Sequence, residues 1–137
     1  MTGEPSTAIA NLVFRYARAY DERDLDALGS CFVDDATFSW RIVDGPEGGP
    51  FVGRDAIVRS NAASLASQTD RRRHVMTNLE ILGDGDERRV RSYMTLFAID
   101  GGRLSALTTG VYDDVVVRGT DDTWRFSSRQ LLCDLPF

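Results

Sequence analysis

The hydrophobic period of the chain changes near residue 73, and this change constrains the fold more than any other feature. Apolar residues recur at helical spacing in the first half and alternate with polar ones in the second, as they do in half-buried strands. Turns rich in Gly and Asp divide the second half into four strands, over 73–82, 88–99, 104–118 and 124–133. The pattern predicts an α+β protein in which helices come first and a four-strand antiparallel meander follows.

Three helices are predicted in the first half. The first begins after an N-cap at Ser6, and a short second one, which carries Phe32, begins after an N-cap at Asp24. A turn at 34–35, a strand over 36–42 and a loop over 44–50 come next, and the third helix covers roughly 54–66. We expect these helices to cover one face of a bent sheet, with a single cavity between the two layers.

The charge balance argues against several function classes. The 137 residues include 16 Lys and Arg against 21 Asp and Glu, which gives a formal net charge of −5. Nucleic-acid and anionic-membrane binders need a basic face instead. The one dense cationic cluster, residues 71–73, is expected to be a solvated strand edge. No apolar run approaches the roughly 20 residues of a membrane span. We therefore expect one domain over residues 1–137 that binds neither nucleic acid nor membrane.

The cysteines bear on the compartment. Cys31 and Cys133 are far apart and fit no metal-ligand spacing. Their apolar surroundings predict buried free thiols, and therefore a reducing compartment. The first residues, 1–5, lack the basic and apolar parts of a signal peptide. A cytoplasmic location is the expectation by default.

Asp21 stands out on the first helix. Val13, Ala17 and Asp21 are spaced by four, so the aspartate ends the stripe that faces the core. It also falls in the last turn, where the helix macrodipole disfavours a negative charge. A carboxylate that faces the core needs a partner, because an unpaired buried charge is expensive. The alternative is that the helix ends one residue earlier and Asp21 is a solvated turn residue.

His74 is the only histidine, and therefore the only side chain whose unperturbed pKa lies near neutrality. Strict alternation places it with Met76, Asn78 and Glu80 on one strand face, whereas the opposite face is the more apolar. A lone histidine is more often a structural or surface residue than a catalytic one. The pattern favours a functional His74 only if its face lines a pocket.

Other side chains could line a site around Asp21 and His74. Tyr20, next to Asp21, could donate its phenol to a ligand oxygen, and the expected substrate-binding residues are Tyr16, Trp40, Met76 and Asn78. For most of the aromatic residues core packing is the simpler interpretation. Arg129 and Asp134, on the last strand, are expected to be surface or interface charges.

Cofactor motifs are missing from the sequence. There is no Gly-rich phosphate loop, Walker motif or Gly-x-Ser-x-Gly elbow. One histidine and two distant cysteines cannot supply a zinc site or a two-histidine iron site. We therefore expect any catalysis to use neither metal nor cofactor.

Several segments together resemble one known group. They are 20–26, Phe32 to Ala36, Phe51 to Ile57, Arg73 to Asn78, Val90 to Tyr93 and Thr123 to Phe126. In this order they resemble the SnoaL-like group of the nuclear transport factor 2-like superfamily, over nearly the whole chain. The resemblance implies a cone-shaped α+β barrel with a curved antiparallel sheet, and a homodimer formed through the sheet's outer face. The superfamily includes dehydratases, isomerases, cyclases and plain binding proteins.

The resemblance also implies roles for residues. In the scytalone dehydratase and lindane dehydrochlorinase type, an aspartate that ends the first helix orients a histidine, which takes a proton from carbon. These residues fall on Asp21 and His74, and the tyrosine before the aspartate falls on Tyr20. The second tyrosine of the dehydratase falls near Trp40, and its second histidine has no counterpart. The expected function is a cofactor-independent lyase or isomerase of a small, apolar, cyclic compound. The alternative is a non-catalytic module that binds a ligand or partner.

Overall fold

The computed structural model describes residues 4–137, so part of the segment considered above for a signal peptide lies outside the described residues. Three helices precede most of the strands. The elements are α1 (Pro5–Asp21), α2 (Leu25–Ser30), β1 (Phe32–Ile42), β2 (Glu47–Val52), α3 (Arg54–Ala66), β3 (Arg71–Leu82), β4 (Glu87–Asp100), β5 (Arg103–Arg118) and β6 (Trp124–Cys133). The predicted α+β class is confirmed.

The helix ends follow local chemistry. Pro5 occupies the first turn of α1, where its missing N–H is not needed, so the helix starts before the predicted cap Ser6. Asp24 caps α2 as predicted, since its carboxylate accepts a hydrogen bond from Ala27 N at 3.0 Å. Helix α2 ends at Ser30, and Phe32 opens β1 instead of continuing the helix. The predicted turn at 34–35 is therefore wrong, because both aspartates lie within β1.

The six strands form one open sheet in the order β2-β1-β6-β5-β4-β3. The meander β3 to β6 is antiparallel as predicted, but β1 joins β6 in parallel. The predicted loop over 44–50 is shorter, because β2 begins at Glu47 and pairs with β1. The sheet is not closed into a barrel, since β2 and β3 remain its two edges. Register shifts in all five strand pairs bend it.

The helices cover the concave face of this sheet. Helix α1 lies against β3 and β6, helix α3 against β1 and β2, and α2 contacts both helices. The α1 positions at helical spacing are all buried: Ile9, Leu12, Val13, Tyr16, Ala17 and Tyr20. Ile57, Asn61 and Leu65 form the buried stripe of α3, as predicted. The two layers therefore meet through the faces that the sequence pattern indicates.

Both cysteines are free and buried, which confirms the prediction for Cys31 and Cys133. Among residues 4–137, no helix combines the length and the apolar character that crossing a membrane requires.

Candidate functional site

Asp21 and His74 form a close pair between α1 and β3. Nδ1 of His74 lies 2.6 Å from Oδ1 of Asp21, and the backbone N–H of His74 donates to Oδ2 at 2.9 Å. The side chains are 7% exposed for His74 and 9% for Asp21. Both carboxylate oxygens are thus engaged by the same residue, which fixes the imidazole ring relative to the helix end.

The local backbone explains why both residues face inward. Asp21 is the last residue of α1, so the alternative of an earlier helix end is wrong. His74 and Met76 face the helices, but Asn78 has φ 53° and the register with β4 shifts between Thr77 and Glu80. This irregularity reverses the alternation, and Leu79 and Ile81 then take the inner face. The inner face of β3 therefore holds the even-numbered residues before Asn78 and the odd-numbered residues after it.

A cavity of about 250 Å³ lies between α3 and the sheet, and it is called the central cavity below. His74 and Tyr20 contribute to its wall. Its apolar lining comes mainly from the sheet: Phe38, Trp40, Met94, Leu96 and Leu131. Most of its polar lining comes from α3 and its end, with Arg72 of β3 beside it: Ser60, Asn61, Ser64, Ser67 and Gln68. The arrangement suits a small molecule with one apolar face and one polar edge.

Tyr20 connects the pair with the cavity. Its ring meets that of His74 edge-on, with centroids 4.9 Å apart. Gln68 Nε2 donates to the phenol oxygen at 2.9 Å, and the phenol lies 3.3 Å from Gln68 Oε1. Burial raises the pKa of Tyr20 above its ordinary value, so the phenol keeps its proton at neutral pH.

The four predicted substrate-binding residues differ in whether they line the central cavity. Trp40 lines the central cavity. Tyr16 is buried beneath it, and its hydroxyl donates to Asn61 Oδ1 at 3.1 Å. Met76 packs against the core and lines a separate crevice beside α1. Asn78 is exposed at the irregularity of β3, so its predicted place beside His74 is wrong.

Two arginines contradict their predicted surface positions. Arg72, expected on a solvated strand edge, is only 10% exposed and lines the central cavity. Arg129, expected to be a surface or interface charge, is fully buried. Arg71 and Arg73 are exposed as predicted, and so is Asp134, which accepts a hydrogen bond from Thr109 Oγ1.

Arg129 belongs to a second aspartate pair, deeper in the core. Its Nε donates to Asp114 Oδ1 at 2.8 Å and its Nη2 to Oδ2 at 3.1 Å. The guanidinium lies 4.5 Å, 3.9 Å and 4.1 Å from the ring centres of Tyr16, Tyr112 and Phe126. Burial raises the pKa of Asp114 to about 6, although the charge of Arg129 acts in the opposite direction.

Sequence reasoning missed the polar wall of the cavity. Beside the buried stripe of α3, three serines follow helical spacing: Ser60, Ser64 and Ser67. This spacing would have predicted a row of hydroxyl groups along one side of the helix. Within residues 4–137, no group of three His, Cys, Asp or Glu side chains could hold a metal ion.

A helix-covered curved sheet with an Asp–His pair beside a cavity defines the class of this protein. The sequence matches the SnoaL-like domain over residues 4–130, and the chain belongs to that family. Its neighbours among solved structures share the nuclear transport factor 2-like, cystatin-like fold. No curated protein matches the sequence.

Three solved structures illustrate the likeness. A protein of unknown function from Mycobacterium tuberculosis, Rv3472(D26N), is 27% identical with a TM-score of 0.79, over 93% of this chain and 70% of that one. A Catenulispora acidiphila protein in complex with S-DNPA is 26% identical with a TM-score of 0.82, over 93% and 92%. A putative scytalone dehydratase from Novosphingobium aromaticivorans is 24% identical with a TM-score of 0.77, over 95% and 84%, and this likeness shows the fold alone.

Proposed function

We propose that the protein is a cofactor-independent lyase or isomerase, of the dehydratase kind, in which His74 removes a proton from carbon. The observation that carries the proposal is the 2.6 Å contact between Asp21 Oδ1 and Nδ1 of His74, a histidine that lines the central cavity. Nδ1 holds its proton toward the carboxylate, which leaves the lone pair on Nε2 for a substrate. Nε2 makes no hydrogen bond to any group in residues 4–137.

Asp21 supports this base in two ways. It fixes the tautomer, because only the Nδ1–H form can donate to its carboxylate. It also stabilises the imidazolium that forms when Nε2 takes a proton, since the negative charge lies beside the ring. General-base catalysis of this kind contributes about 10²–10⁴-fold, which is sufficient only for an acidified C–H bond.

The cavity limits the substrate. About 250 Å³ between aromatic and aliphatic side chains suits one or two fused rings, and the serines of α3 suit an oxygen-bearing edge. The proposed substrate is therefore a small, largely apolar, cyclic compound with a carbonyl beside the reacting C–H bond. Elimination and isomerisation of such a compound start with the same proton abstraction.

The test is deuterium exchange at C2 of 1-tetralone, a two-ring ketone, followed by NMR in D2O. The wild type is expected to accelerate exchange, and His74→Gln to remove the acceleration. Asp21→Asn should reduce the acceleration, and the exposed Asp134→Asn is its matched control, because it removes the same charge away from the cavity. Equal exchange with wild type and His74→Gln would contradict the proposal.

The alternative function is non-catalytic binding of a ligand or partner. It is favoured by Trp40, which lines the cavity near the position where the dehydratase type has a second tyrosine. Under this alternative a two-ring ketone binds the wild type and His74→Gln equally and exchanges with neither. Calorimetric titration beside the NMR measurement separates the two functions.

The homodimer stays a prediction. Tyr93 is 53% exposed and Val75 42%, and both lie on the face of the sheet away from the helices. An association through this face should be disrupted by Tyr93→Lys. Sedimentation equilibrium provides the test, and a monomeric wild type would contradict the prediction.

A further inference from the structure

Arg72 brings a positive charge to the cavity and has one nitrogen unpaired. Its Nε donates to Asp70 Oδ1 at 2.8 Å, and Nη2 lies 3.5 Å from Oδ2. Nη1 is buried and finds no hydrogen-bond partner in the part of the chain from 4 to 137. A buried donor of a charged group is unfavourable without an acceptor, so an acceptor from a bound ligand would stabilise this nitrogen.

The geometry of the guanidinium indicates where this nitrogen lies. Nε and Nη2 share the edge that faces Asp70, so Nη1 lies on the other side of the planar group. Arg72 and His74 are two residues apart on β3, and both side chains leave the strand on its inner face. Both line the central cavity. A ligand that binds next to the imidazole would therefore also lie close to the guanidinium of Arg72.

The phenol and the amides nearest to Arg72 already have partners. The phenol of Tyr20 is bonded with Gln68. The amide of Asn61 donates to Ile57 O at 3.0 Å and accepts from Tyr16. Arg72 is thus the cavity residue that combines a full positive charge with an unused donor.

We propose that Arg72 Nη1 binds a ketone oxygen of the substrate and stabilises the negative charge that develops there. This inference rests on the proposed function, and it makes Arg72 a further catalytic residue beside His74. It also gives a physical reason for the carbonyl in the proposed substrate, because an arene or a halide alone offers no oxygen for this group.

The electrons move as follows. The lone pair of His74 Nε2 takes the proton next to the carbonyl, the C–H pair becomes a C=C bond, and the C=O π pair moves to oxygen, which Arg72 binds. In an elimination, the oxygen pair re-forms C=O and the C=C pair expels a β-hydroxyl. That hydroxyl leaves as water with the proton returned by His74.

The test uses 2-naphthol, whose ionised form resembles the enolate of a two-ring ketone and is recognised by its absorption spectrum. Bound to the wild type, the probe should ionise at least one pH unit lower than in solution, a preference of 10-fold or more. Arg72→Gln should abolish this shift and lower the rate of 1-tetralone exchange by about 10²-fold, with little change in KM. Arg72→Lys should restore part of both.

Two controls separate oxygen binding from a structural role. Arg73→Gln removes the same charge one residue along the strand, where the side chain is exposed, and should keep the shift. Asp70→Asn breaks the ion pair but keeps the guanidinium, so it should also keep the shift. If Arg72 only anchors β3 through Asp70, then Asp70→Asn should behave like Arg72→Gln.

Different outcomes would overturn this inference and the proposed function. A shift that survives Arg72→Gln, or a wild type that shows no shift, overturns the role of Arg72. A shift that depends on Arg72, without exchange of 1-tetralone by the wild type, supports the oxygen site and refutes the catalysis. Exchange that depends on His74 but not on Arg72 supports the catalysis and overturns the assignment of Arg72.

Discussion

Two aspartates in this protein pair with basic side chains from distant segments, but the two pairs are enclosed to different degrees. Asp114 and Arg129 are both 0% exposed, and three aromatic rings surround the guanidinium. His74 lies in the wall of the central cavity with Asp21 bonded behind it, and Nε2 of the imidazole is not bonded to other groups of residues 4–137. A sealed pair can only hold the core together, whereas a pair beside a cavity can act on a ligand.

The bases differ as well. The guanidinium of Arg129 keeps its proton at any ordinary pH, so it cannot serve as a base. The imidazole of His74 can accept a proton and return it. The comparison therefore assigns stability to the Asp114–Arg129 pair and chemistry to the Asp21–His74 pair.

The largest expected effect is on stability, from Arg129→Met. The variant leaves the Asp114 carboxylate unpaired in the core, which should lower the free energy of unfolding by about 3–5 kcal/mol in urea titrations. The double variant Asp114→Leu/Arg129→Met should recover most of the loss, because it removes both charges. A loss below about 1 kcal/mol in the single variant would break the comparison.

His74→Gln should show the opposite profile. The exchange of 1-tetralone is expected to fall by about 10³-fold, since the amide is not a base. The free energy of unfolding should stay within about 1 kcal/mol of the wild type, because the amide can still donate to Asp21. A large loss of stability with exchange preserved would reverse the assignment of the two pairs.

The pH dependence of stability should distinguish the buried pair. Burial raises the pKa of Asp114 to about 6, so the folded state holds a proton that the unfolded chain has released between roughly pH 4 and 6. This contribution is complete below the unfolded pKa and is lost as the pH rises through 6, by about 2–3 kcal/mol. Relative to Asp114→Asn, the wild type should therefore lose stability from pH 4 to 7. A constant difference would contradict the raised pKa.

The smallest effect is expected from Tyr20→Phe. Its phenol already has Gln68 as a partner, so it should contribute less than Arg72 to charge on the substrate oxygen. Exchange of 1-tetralone should fall by roughly 10-fold or less. A loss of exchange equal to that of His74→Gln would instead show that the phenol of Tyr20 is an essential proton donor, and would add Tyr20 to the catalytic residues.

Much of the fold could be predicted because its signals are local. The buried stripes of α1 and α3, the cap at Asp24 and the meander of β3 to β6 all follow from periodicity and turn residues. The parallel contact of β1 with β6 could not be predicted, since it joins segments about 90 residues apart with no turn between them. The resemblance brought Asp21 and His74 together, and helical spacing alone left Asp21 undecided.

The remaining parts of the site depend on backbone detail. The positive φ of Asn78 reverses the inner face of β3, and strict alternation carries no sign of such a reversal. Asp114 escaped notice because both faces of β5 carry apolar residues around it, so periodicity did not mark one face as buried. Arg72 was hidden within three successive arginines, of which only the middle one faces the cavity.

The most direct test of the central claim measures exchange and unfolding together in Asp21→Asn and Asp114→Asn. The account predicts that Asp21→Asn loses about 10²-fold in the exchange of 1-tetralone and only about 1 kcal/mol of stability. Asp114→Asn should lose about 3 kcal/mol of stability, while its folded fraction exchanges 1-tetralone at nearly the wild-type rate. Full exchange activity in Asp21→Asn would contradict the claim that this pair carries the chemistry.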